Sequence, residues 1–117
     1  MKRDINLIKE ILLQMEKHND LLHAVEINIS DKSQAEISYH IMLLHQAGLI
    51  KAEDVSGTNS FSWIPISLTW QGHEFLDAVR NDTVWTKLKA KLSEQGGNIP
   101  LHLLKELAAQ YARDLLL

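Results

Sequence analysis

Gly48 does most to narrow what this 117-residue chain can fold into. Ahead of it, Ile37, Ile41 and Leu44 recur at helical spacing, and a glycine directly after such a run ends a helix. Behind it, with no linker, Leu49-Ile50-Lys51-Ala52-Glu53-Asp54-Val55 reads as a strand. Ser56-Gly57-Thr58-Asn59-Ser60 is turn chemistry, and Phe61-Ser62-Trp63-Ile64-Pro65-Ile66-Ser67-Leu68 is a returning strand. Pro65 has no amide donor, which places that strand at a sheet edge or on a bulge. A helix running straight into a hairpin therefore sits at the centre of the chain, and the fold class is α+β.

The flanks are helical. Asp4 is a good N-cap for a helix to Lys17, with Ile8, Ile11, Leu12 and Met15 on one buried stripe. Ala24 to Ile29 alternates polar and apolar and reads as a short half-buried strand. Ser33, with Glu36 three residues later, has capping-box spacing and opens a helix to Ala47. Beyond the hairpin, Thr69 caps a helix to about Arg80 with Phe75, Leu76 and Val79 inward. Asp82 caps a second, with Trp85, Leu88 and Leu92 as its buried side. After Gly96-Gly97, Pro100 fits the first turn of a last helix to Leu116, with Leu104, Leu107, Ala108, Tyr111 and Leu115 on its stripe.

Composition limits the chemistry. Hydrophobic residues are 45% and charged residues 23% of the chain, the balance of a folded domain. There is no cysteine, which removes disulfides, thiolate nucleophiles and Cys-ligated metals. No apolar run reaches the ~18 residues of a transmembrane helix, and the start carries no signal-peptide core, so the expected compartment is cytoplasmic. Twelve Lys and Arg stand against fifteen Asp and Glu, a net charge of −3. A dedicated duplex binder usually shows a basic face, which bulk composition does not suggest here.

Two motifs carry a resemblance. Ile37-Ser38-Tyr39-His40-Ile41-Met42-Leu43-Leu44-His45-Gln46-Ala47-Gly48-Leu49-Ile50 resembles the end of a winged-helix recognition helix leading into its wing. Leu68-Thr69-Trp70-Gln71-Gly72-His73-Glu74-Phe75-Leu76 resembles the step that leaves the wing in many bacterial regulators. With Met1-Lys2-Arg3-Asp4 and Val84-Trp85, nearly the whole chain resembles a family of small bacterial and prophage-type proteins of unknown function. The resemblance implies a winged-helix (winged helix-turn-helix-like) domain, 1–117, with a core over 1–80 and a C-terminal helical extension over 81–117. It brings no catalytic residue and no ligand. The interval Asp20 to Lys32 reads as strand and turn, so the helix that would precede a recognition helix is short, displaced or missing.

With Ile37, Ile41 and Leu44 inward, the second helix turns Ala35, Ser38, Tyr39, Met42, His45 and Gln46 outward. Ser38, Tyr39, Met42, His45 and Gln46 are the candidate contacts to DNA or to a protein partner, joined by Gly57, Thr58 and Asn59 at the wing tip. No Arg or Lys lies on that helix face, and the adjoining strand carries Glu53 and Asp54. Lys87, Lys89 and Lys91 cluster elsewhere, as phosphate contacts or as side chains snorkelling round a core edge. His18 and His23, and His40 and His45, are each five apart, which is not metal-ligand spacing on a helix; no metal or cofactor is expected. No phosphate loop, nucleophile elbow or inward carboxylate pair appears, so the chain is expected not to be an enzyme. The three tryptophans are expected to fill core or interface. Surplus apolar residues at Leu101, Leu103, Leu115, Leu116 and Leu117 suggest a homodimer through the C-terminal helix. Two readings follow: a DNA-contacting regulator of prophage or bacterial type, or a protein-interaction module of winged-helix shape.

Overall fold

The computed structural model describes residues 1–117 as five helices and one two-stranded antiparallel sheet, an α+β arrangement. The elements are α1 (Ile5–Lys17), α2 (Gln34–Gln46), β1 (Ile50–Asp54), β2 (Trp63–Leu68), α3 (Trp70–Val79), α4 (Asp82–Glu94) and α5 (Leu101–Leu116). They fall into two compact units, residues 1–72 and residues 73–117.

In the first unit, Asp4 caps α1 by accepting from the Asn6 and Leu7 amides at 3.0 and 3.2 Å. All four stripe residues of α1 are buried, together with Ile5 and Leu7. Ser33 Oγ accepts from the Glu36 amide at 3.0 Å and starts α2. Glu36 turns its carboxylate to Lys32 instead of closing the capping box, at 3.7 Å. Gly48, with φ +77°, ends α2 in a paired closure. Its amide donates to His45 O, and the Leu49 amide reaches back to Leu44 O, both at 3.0 Å. Ile8, Ile11, Leu12, Ile37, Ile41, Leu44, Leu49 and Ile50 form the core of this unit.

The hairpin differs from a regular ladder in one place. Ala52 faces Pro65 and Lys51 faces Ser67, which leaves Ile66 as the extra, bulged residue. A proline cannot donate to a ladder, and Pro65 fits, buried, because its nitrogen faces away from β1, on the outer edge of the strand. Thr69 then ties the hairpin's exit to its entry. Its hydroxyl donates to Gly48 O at 2.6 Å and accepts from the Gly72 amide at 3.1 Å, while its own amide donates to Leu49 O at 3.1 Å.

Three expectations are corrected. Residues 24–29 form no helix, turn or bend, with Val25 and Ile27 buried, but they pair with no strand, so the sheet has two strands and not three. Trp63 turns its amide away from β1 onto Ser38 Oγ at 3.3 Å. Pro65, two residues on and on the same edge, has no amide, so that edge of β2 has no free donor there to receive a third strand. The cap of α4 is Asn81, whose side chain accepts from the Thr83 and Val84 amides, with Asp82 as the first helical residue. Val84 and Leu88 are the buried residues of α4, while Trp85 and Leu92 are half-buried.

In the second unit α4 packs on α5, and Leu104 and Ala108 are the buried centre of α5. Leu107 and Tyr111 are half-buried and Leu115 is exposed, so the apolar stripe leaves the core before the helix ends. No helix is long and apolar enough to cross a membrane.

Candidate functional site: the α2 face and the groove beside β2

The amino end of α2 is locked from below. Lys32 Nζ donates to Asp4 Oδ2 at 3.1 Å, and His40 Nε2 accepts from the Asp4 amide at 2.8 Å. That acceptance puts the ring proton on Nδ1, where it is donated to Glu36 O at 2.9 Å. His40 is fully buried, with both ring nitrogens satisfied, which makes it a clamp between α1 and α2. Burial pushes the Asp4 carboxyl up, but the Lys32 ammonium and the Leu7 and Asn6 amides outweigh it and hold that carboxyl below the usual carboxylate value. The hydrogen bond to Asp4, with the charges of Asp4 and Glu36, raises Lys32. The one lysine beside the helix is thus committed to two carboxylates.

The face expected to make contacts is only partly outward. Ser38 is 6% exposed, and its hydroxyl is used by the Trp63 amide; its place on the outer face is corrected. Tyr39 and Met42 are half-buried, and Tyr39 meets the His40 ring edge-on at 5.7 Å. His45 and Gln46 are exposed, and the His45 ring tilts against Trp63 at 5.5 Å. Gly57, Thr58 and Asn59 are exposed at the hairpin tip, where Gly57 and Ser60 form a bridge. The Ser56 hydroxyl and amide lower the Asp54 carboxyl, so the strand leading to the tip keeps a negative charge.

Lys87, Lys89 and Lys91 belong to the other unit and have partners there. Lys87 Nζ lies 6.0 Å from the Tyr111 ring centre and Lys89 Nζ 5.4 Å from that of Trp85, both within cation–π range. Lys91 pairs with Glu94 at 3.7 Å. Of the tryptophans, Trp63 and Trp85 are half-buried, and Trp70 is 76% exposed at the start of α3. The His18–His23 turn is held internally: His18 Nε2 bonds His23 O, and His23 Nδ1 bonds Asp20.

Sequence patterning does not reveal the groove. It has a volume of about 370 Å³ and lies between residues 24–28, the first half of α2 and residues 62–65. Its walls are apolar at Val25, Ile37 and Ile64 and polar at Glu26, Gln34 and Ser38. The indole Nε1 of Trp63 is buried and without a hydrogen-bond partner. Trp63 thus joins two surfaces, lining the groove and meeting the tilted His45 ring. An indole that meets a ring of one element and lines a groove beside another is a matter of tertiary placement, and a local pattern carries no sign of it.

Comparison with known proteins adds a family. A protein of Haemophilus influenzae (strain Rd), described as "Uncharacterized protein", is 40% identical over 109 residues, which is 92% of each chain. No solved structure matches. The family described as "Hypothetical protein (DUF2513)" matches residues 2–98, from the first residues before α1 to just short of α5. The chain belongs to that family.

Proposed function

We propose that the protein is a non-enzymatic binding module of winged-helix form, whose α2 and hairpin face takes a protein partner in preference to duplex DNA. The order helix, non-helical segment, helix, hairpin, helix supports the winged-helix form. Residues 18–33 contain no helix, so the helix that would brace a DNA-reading helix against the duplex is missing.

The observation that carries the preference is charge. From residue 31 to residue 68 the only cations are Lys32 and Lys51, against Asp31, Glu36, Glu53 and Asp54. Lys32 is already held by Asp4 and Glu36. Duplex binding draws most of its affinity from cations that displace phosphate counterions, and this surface has almost none to offer. Exposed His45, set against the Trp63 ring, and exposed Gln46 suit a mixed polar and aromatic protein contact. Self-association belongs to the same reading, supported by exposed Leu115, Leu116 and Leu117 at the end of α5.

The test is a fluorescence-anisotropy titration of the full chain into mixed-sequence duplex DNA at low and near-physiological salt. The expected result is no saturable binding. A Kd of ~10⁻⁴–10⁻⁶ M that weakens steeply with salt is the signature of phosphate contact. It would overturn this reading and restore a DNA-contacting regulator of prophage or bacterial type.

A further inference from the structure

We infer that the groove between residues 24–28 and the outer edge of β2 is a strand slot that takes an extended, basic peptide segment of a protein partner. This deepens the protein-partner reading above and rests on it. Three observations converge. Residues 24–28 run without helix, turn or bend and alternate as a strand would, with Val25 and Ile27 buried and Glu26 exposed, yet the main-chain groups of Val25, Glu26 and Ile27 have no partner in the chain. Across the groove, the edge of β2 turned away from β1 presents the carbonyls of Trp63 and Pro65. Its one amide is taken by Ser38, and Pro65 has none. Trp63 lines the groove, and its buried Nε1–H lacks an acceptor.

Two such edges do not suit one another, because β2 has no free donor at these positions. An intervening peptide suits both. On one side its amides donate to the Trp63 and Pro65 carbonyls, and one of its carbonyls accepts from the Trp63 indole. On the other it exchanges ladder bonds with alternate residues of the 25–27 segment, since successive main-chain groups point to opposite edges. This is recognition by strand addition, in which main-chain bonds give affinity and alternate side chains give selectivity. The apolar walls at Val25, Ile37 and Ile64 receive the inward side chains. Glu26, exposed at the rim with no cation among the lining residues, selects a Lys or Arg in the peptide and disfavours an acid.

Two measurements on the full chain test this. Amide hydrogen exchange of the free protein is expected to show Val25, Glu26 and Ile27 unprotected while the α1 and α2 cores are protected. Protection at those three amides would mean that the chain closes the slot itself, and would overturn the inference. Linear peptides are then selected from a random phage library and synthesised. They are expected to carry a basic residue, to slow exchange at 25–27 and to shift the Trp63 indole proton. Trp63→Phe, which keeps a ring beside His45 but removes the donor, should weaken them by about threefold to tenfold, the worth of one neutral hydrogen bond. Glu26→Lys, at an exposed position, should reverse the charge preference without changing Tm. A library that yields no binder, or peptides that leave 25–27 and the indole unchanged, overturns the slot. The DNA titration separates the two failures: a silent library without DNA binding removes only the slot, whereas salt-dependent DNA binding removes the parent reading.

Discussion

A Cβ at position 72 would stand 1.9 Å from the carbonyl oxygen of Leu49, a contact that no side-chain rotation relieves because the obstacle is backbone. The same carbonyl accepts the Thr69 amide, so Leu49 has little room to retreat. Gly72→Ala is therefore expected to destabilise the chain although alanine is the better helix former. Overpacking costs ~1–3 kcal/mol against a helix-propensity gain of ~1 kcal/mol. Urea unfolding checks this, and a midpoint at or above that of the wild type would show that α3 shifts away freely. The same contact joins two segments legible separately in the sequence, Leu68–Gly72 and Ala47–Ile50, through the Thr69 bonds to Gly48 and Leu49. Asp4, Ser33 and Gly48 were equally readable, since caps act within a few residues. Ser38 was not. A polar residue on a helix wheel reads as outward, and only the distant Trp63 amide makes burial of its hydroxyl favourable.

Between elements, the junction of α1 and α2 is held by charge as well as packing, and it titrates. The folded chain lowers the Asp4 carboxyl, so its contribution is complete above the ordinary value of 3.8 and is lost as pH falls below that through the folded value. Lys32 is raised, so its contribution is complete below the ordinary value of 10.5 and is lost as pH rises through the folded value. Asp4→Asn keeps a capping side chain and removes the charge. The stability gap between it and the wild type should hold at neutral pH and close as pH falls below 3.8, as followed by chemical denaturation. A gap independent of pH would mean that the Lys32 pair contributes nothing. The 24–29 segment shows where reading elements from sequence runs out. Alternation gave Val25 and Ile27 their inward side correctly, but pairing depends on the opposite edge, and Pro65 and Ser38 leave that edge without donors.

For the molecule as a whole, the family match covers nearly all of the first unit and reaches Asn98, while α5 lies beyond it. The end of α5 carries Leu116 and Leu117 at 86% and 99% exposure. Such residues are expected to be covered by a second copy. Sedimentation velocity should show a dimer for the wild type and a monomer for Leu116→Lys/Leu117→Lys; a wild-type monomer would remove self-association from the proposal. The hairpin also bears on how the molecule tolerates change. It is fastened twice at its base, by the Ile50–Leu68 pairing and by the Thr69 bonds to Gly48 and Leu49, and nothing at the tip takes part in either fastening. Lengthening a closed loop costs only ~0.6 kcal/mol per doubling. Thr58–Asn59 is therefore the place where relatives can differ in length, and where a reporter or tag can be spliced in, with the register of both strands still set from below.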